Sequence, residues 1–94
     1  MTVKRETFKR DPGVPFQKLE EETIVVDPRT REVHLLNDTA ARIWELLGSA
    51  RSIDDLAATL ADEYDAPADE LRAGVEELLA GLRDKGLLSG DGAR

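Results

Sequence analysis

The chain carries two hydrophobic periods in succession, and the change from one to the other divides it. Residues 15–19 (PFQKL) read as a short strand, and Glu20-Glu21-Glu22 as a solvated connector. Thr23–Asp27 (TIVVD) concentrates β-branched residues, which suit a pleated, half-buried surface, and is the strongest strand signal present. Asp27-Pro28-Arg29-Thr30 has Asp first and Pro second, the order a type I turn favours. Glu32–Leu36 (EVHLL) then returns as a third strand, completing an antiparallel meander.

Beyond Leu36 the period becomes helical. Asn37 is placed to cap a first helix by accepting an otherwise unpaired N–H, Ala40, Ile43, Trp44 and Leu47 form its apolar stripe, and Gly48 is expected to end it. Ser52-Ile-Asp-Asp55 resembles a capping box with Asp in place of Glu, opening a helix striped by Ile53, Leu56, Ala57, Leu60, Ala61 and Tyr64. Pro67 fits the first turn of a third helix, whose stripe is Leu71, Val75, Leu78 and Leu82. Gly86 supplies a left-handed stop, after which Leu87 can fold back on the last turn. The expected fold is α+β of winged helix-turn-helix type: a three-stranded antiparallel meander followed by three helices. The expected boundaries are a flexible tail over 1–13, one domain over 14–89 and a short tail over 90–94. With 94 residues, a single domain with a small core is the prior.

Composition narrows the function classes. There is no cysteine, so a disulfide framework or thiolate metal site is ruled out, and the single histidine cannot build an imidazole cluster. No cofactor or metal is expected. The opening MTVKRETFKRDPG lacks an apolar signal region, and no apolar run approaches the roughly 20 residues that cross a bilayer, so a soluble cytoplasmic chain with no membrane association is expected. The glycines are isolated and make no phosphate cradle. Adjacent acids such as Asp54/Asp55 and Glu76/Glu77 point about 100° apart on a helix and do not converge on a substrate. An enzyme is therefore not expected.

The formal charge of −7 sits mostly in the second half, while the first 20 residues are mildly basic. A winged-helix DNA reader remains an architectural alternative, but its recognition helix, Pro67–Lys85, would bring Asp69 and Glu70 to the groove at its N-terminal turn. DNA affinity depends largely on Lys and Arg neutralising phosphates. No nucleic-acid partner is expected, and a dimerisation or scaffold module is the other alternative.

The segments "DPGVPFQKL", "VVDPRTREVHLLNDTAARIWELL", "RSIDDLAATLADEYD" and "VEELLAGLRDKGLL" together resemble the PqqD-like peptide chaperones, the recognition elements for precursors of ribosomally synthesised, post-translationally modified peptides. The Leu-Asn pair, the Ala-rich turn and the Ile-Trp that follows are the most specific part, and the resemblance spans about residues 11–89. It implies a non-catalytic adaptor that binds the leader region of a precursor peptide and presents it to a modifying enzyme, often a radical SAM protein. It further implies that the leader adds a strand along Glu32, Val33, His34, Leu35 and Leu36 and packs on the helix over roughly Asp69–Arg83.

Physical reasoning on the meander agrees, because an edge strand offers unpaired N–H and C=O groups to an incoming chain. The peptide-binding set expected is that strand together with Leu71, Val75 and Leu79 as groove lining and Arg72, Glu76 and Arg83 as readers of leader charge. Leu79 is preferred for the groove because it departs from the main stripe. Free protein that pairs its own edges would form a homodimer.

Overall fold

The computed structural model describes residues 6–89. The elements run β1 (Thr7–Phe8), β2 (Phe16–Lys18), β3 (Thr23–Val26), β4 (Val33–Leu36), α1 (Asp38–Leu46), β5 (Arg51–Ser52), α2 (Ile53–Glu63) and α3 (Ala68–Asp84). Strands β2, β3 and β4 form one antiparallel sheet in that order, and β1 pairs with β5 in a separate ribbon. The α+β meander followed by three helices is the architecture expected; the ribbon is an addition.

The β3–β4 connection shows why its sequence folds as it does. The Asp27 carboxylate accepts from the Arg29 amide at 2.9 Å, its carbonyl accepts from the Arg31 amide at 2.7 Å, and its own N–H donates to Glu32 O at 2.9 Å. Arg31 takes φ 66°, the left-handed conformation that reverses the chain before β4 begins. Asp27 is buried, and the backbone N–H of Arg29, followed by that of Thr30, holds its carboxyl below the usual carboxylate range. Hydrogen bonds from Lys18 and Arg42 do the same for Glu45, and those from Arg42 do so for Glu63.

All three folded-state values are depressed, so the stability these groups contribute is fully present above their unfolded values. It is lost as pH falls through the folded ones. Urea denaturation should give a plateau from pH 7 to about 5 and a decline below about pH 4, and Asp27→Asn should shallow that decline. An identical acid limb in the variant would remove Asp27 from the explanation.

The helix ends follow their caps. Asn37 Oδ1 accepts from Ala40 N at 3.1 Å, and the Ser52–Asp55 box closes in both directions at 3.0 and 3.2 Å. Pro67 sits at the N-cap of α3 and not inside its first turn; Asp69 and Glu70 in that turn suit the positive end of the helix dipole. At the other end Gly86 N donates to Arg83 O and Leu87 N to Leu82 O, with Gly86 at φ 72°, so the left-handed stop is realised. The Arg29 guanidinium donates to Lys85 O at 2.6 Å and lies where a Cβ on residue 86 would be, a second reason for glycine there. Gly48 does not take a left-handed turn; α1 ends at Leu46, and Gly48 instead leaves room for Arg10, whose guanidinium would stand 3.2 Å from a Cβ.

The core joins Val25 and Leu36 of the sheet with Ile43, Trp44, Leu47, Leu56, Leu60, Val75, Leu79, Leu82 and Leu87. Phe8 belongs to it at 5% exposure, which corrects the tail expected over 1–13. From Glu6 onward the segment is part of the fold: Phe8 pairs with Arg51, Arg10 bridges Leu88, and Arg10 donates to Trp44 O at 2.9 Å. The folded unit thus reaches about eight residues further back than 14–89. Residues 1–5 and 90–94 of the expected tails lie outside the described residues.

Candidate functional site

Among the described residues, strand β4 has a partner on one side only. The phase of its hydrogen bonds follows from the register, in which Val25 faces His34 and Asp27, one pair beyond the strand end, bonds Glu32. Bonded and unbonded pairs alternate in an antiparallel ladder. Asp27–Glu32, Val25–His34 and Thr23–Leu36 are therefore the bonded pairs. The N–H and C=O groups of Val33 and Leu35 point the other way, out along the free edge. The β2–β3 ladder uses the complementary positions of β3, since Val26 N donates to Pro15 O and Leu19 N to Glu22 O. The His34 amide is bonded inward, to Val25.

Side chains alternate with the same period. Leu36 is buried and His34 half-buried on the inner face, while Val33 and Leu35 are 63% and 59% exposed. Large aliphatic side chains on an open edge are what a protein ordinarily avoids. The opposite edge, β2, has only three residues, follows Pro15 and carries Lys18, which pairs with Glu45 at 3.0 Å. That edge is guarded in the usual ways; β4 is not.

Beside the β4 edge runs a groove of about 570 Å³ lined by Val33–Leu36 and, on α3, by Gly74, Glu77, Leu78, Gly81, Leu82 and Lys85, with Leu87 below. The helix positions advance by three and one in alternation, so they make one face. A smaller hollow of about 250 Å³ continues past Gly74 and Leu78 and is lined by Asn37, Thr39, Ala40, Leu71 and Val75, among others. Glu77 and Lys85 are the charged groups in the larger groove. His34 Nε2 is buried there without a hydrogen-bond partner. The two ends are fixed: β4 passes through Asn37 straight into α1, and Arg29 from the hairpin loop grips the last turn of α3.

The structure sorts the residues expected from sequence. Val33, His34, Leu35 and Leu36 line the groove, whereas Glu32 lies on the connection before it and is exposed. Leu71 and Val75 line the smaller hollow, Val75 from within the core. Leu79 is a correction: at 2% exposure it is packed among core residues, and its neighbour Leu78 takes the groove position. Arg72 and Glu76 pair with each other, Arg72 also with Asp54 on α2. Arg83 pairs with Glu6 at 3.1 Å and lies 5.0 Å over the Phe8 ring. None of these three lines the groove. Sequence reasoning assigned Leu78, Leu82 and Leu87 to packing alone and passed over Gly74, Glu77, Gly81 and Lys85, whose one signal is their helical spacing.

No group of three or more possible metal ligands occurs among the described residues, and no helix there is long and apolar enough to cross a membrane. The site therefore has the means for backbone pairing and apolar contact.

Residues 22–88 match the family model described as coenzyme PQQ synthesis protein D (PqqD). Among solved structures, "TbiB1 in complex with the TbiA(beta) leader peptide" is similar at 22% identity and TM-score 0.79, over 87% of this chain and 95% of that one. A lasso peptide synthetase B1 complexed with the leader peptide is 27% identical, with TM-score 0.76, over 87% and 96%. The solution NMR structure of the PqqD truncation of Methylobacterium extorquens PqqCD, described as a stand-alone recognition element for ribosomally synthesised and post-translationally modified peptides, is 24% identical, with TM-score 0.73, over 88% of each chain. No curated protein matches the sequence.

Proposed function

We propose, from the premise that this chain belongs to the PqqD family, that it is a non-catalytic peptide chaperone. It takes up the leader region of a ribosomally synthesised precursor by strand addition to β4 and presents the precursor to a modifying enzyme, a radical SAM protein, in the cytoplasm. The observation that carries this reading is the unguarded β4 edge lying directly beside the groove against α3. The leader peptides bound in two similar structures, one of them 27% identical, support the same ligand class.

Magnitudes decide what kind of peptide can bind. Val33 and Leu35 each offer one N–H and one C=O, and net hydrogen bonds contribute about 0.5–1.5 kcal/mol each. Ordering the incoming strand costs about 1–2 kcal/mol per residue, so backbone pairing alone leaves nothing over. Apolar side chains entering the groove, at about 1.5–3 kcal/mol each, must supply the surplus. In such a pairing the leader residues opposite His34 and Leu36 point inward to α3, and those opposite Val33 and Leu35 point outward.

The test is a titration of isotope-labelled protein with synthetic peptides tiling the short reading frames encoded beside its gene. One peptide should shift the amides of Val33–Leu36 and of the α3 face from Gly74 to Lys85. Shifts confined to other surfaces, or none with any peptide, would overturn the reading. Self-association without a peptide response would favour a dimerisation module.

A further inference from the structure

Two glycines in the interior of α3 have no folding reason to be there. Gly74 and Gly81 lie within a 17-residue helix, neither takes a positive φ, and a Cβ on either would meet nothing within 4 Å. Glycine in a helix interior is markedly less favourable than alanine, so each weakens the helix for no gain in packing. Gly86 contrasts with both, since its conformation and the Arg29 guanidinium demand it. With no packing or backbone reason for glycine within the fold, the effect of their small size falls on the groove they border.

Both glycines face the groove. They are seven residues apart and so lie on one side of the helix, and they share the groove wall with Leu78, Leu82 and, across from them, Leu36. Each absent side chain deepens the floor beneath the line an added strand would follow. We infer that Gly74 and Gly81 set the specificity of the site: the two hollows receive bulky apolar side chains from the inward-facing positions of the bound strand. The inference rests on the leader-binding reading and adds a rule to it. A leader with small residues at those inward positions is rejected, because the aliphatic walls then face a void.

The experiment uses fluorescein-labelled peptides tiling the short reading frames encoded beside its gene, titrated into wild-type protein and into Gly74→Leu, Gly81→Leu, Gly74→Ala and Gly81→Ala. Ala80→Leu, on the exposed side of the same helix, is the control. The leucine variants should lose at least tenfold in affinity for the tightest peptide, and the alanine variants less. Each alanine variant should also melt about 4–8 °C higher than wild type. Alanine at the inward leader positions should weaken binding to wild type and change little in the leucine variants. Wild type that binds no peptide overturns the leader reading and this rule together. Wild type that binds while Gly74→Leu and Gly81→Leu match the Ala80→Leu control overturns the rule alone.

Discussion

Leu35→Pro leaves the domain folded and lowers its affinity for the leader at least tenfold, whereas His34→Pro destabilises the domain itself. The difference follows from a one-residue phase. Val25–His34 is a bonded pair of the β3–β4 ladder, so a proline at 34 removes a hydrogen bond the sheet needs. The Leu35 amide points to the open edge and gives nothing to β3. A proline there silences the donor a guest strand requires and places its ring in the path of that strand. The comparison is made by thermal melts of both variants alongside peptide titration of Leu35→Pro. Unchanged affinity in folded Leu35→Pro would mean that peptides do not pair with this edge.

Trp44→Ala carries the largest stability effect in the chain. Trp44 is 1% exposed, meets Phe16 edge-on at 5.9 Å between ring centres, and sits under the sheet at the centre of the core. Removing such a ring costs about 3–5 kcal/mol in lost burial and cavity formation. Domains commonly have only about 5–15 kcal/mol in total, and one of this size lies toward the lower end. The variant should be largely unfolded or melt far below wild type, as followed by circular dichroism, since the indole reporter is lost with the substitution. A drop of less than about 1 kcal/mol would mean that the core closes over the gap.

The parts of the fold that could be read from sequence are those set by local chemistry. Asn37, the Ser52–Asp55 pair and Gly86 each act on backbone groups within a few residues, and each cap is found where the residues place it. The β1–β5 ribbon carried no such signal. It is two residues long on each side, and its one anchor, Phe8, stands alone in a charged stretch, so nothing periodic marks it. Only the long-range contact with the core gives Phe8 its place.

The site was legible as an edge but not as a face. Strand alternation and the missing neighbour mark β4 from sequence, whereas α3 offers two candidate stripes. Arg72, Glu76, Leu79 and Arg83 recur at four, three and four residues, and so do the actual groove positions Gly74, Leu78, Gly81 and Lys85. Successive residues turn about 100°, so Leu78 and its neighbour Leu79 face different partners. The choice is made by α2 and the ribbon, which take up the first stripe through Asp54, Glu6 and Phe8. Sequence spacing cannot show which stripe a neighbouring element will claim. Glycine is also easily passed over as the mark of a site, because it presents no functional group to notice.

Arg29 clasps the end of α3 at one mouth of the trough, and Asn37 welds strand to helix at the other. Its width is set before any guest arrives, so the receptor loses little freedom on docking and nearly all the loss falls on the peptide. Two precursors with identical anchors would then be ranked by stiffness: the leader that spends more time extended in solution is loaded first when both compete for one chaperone.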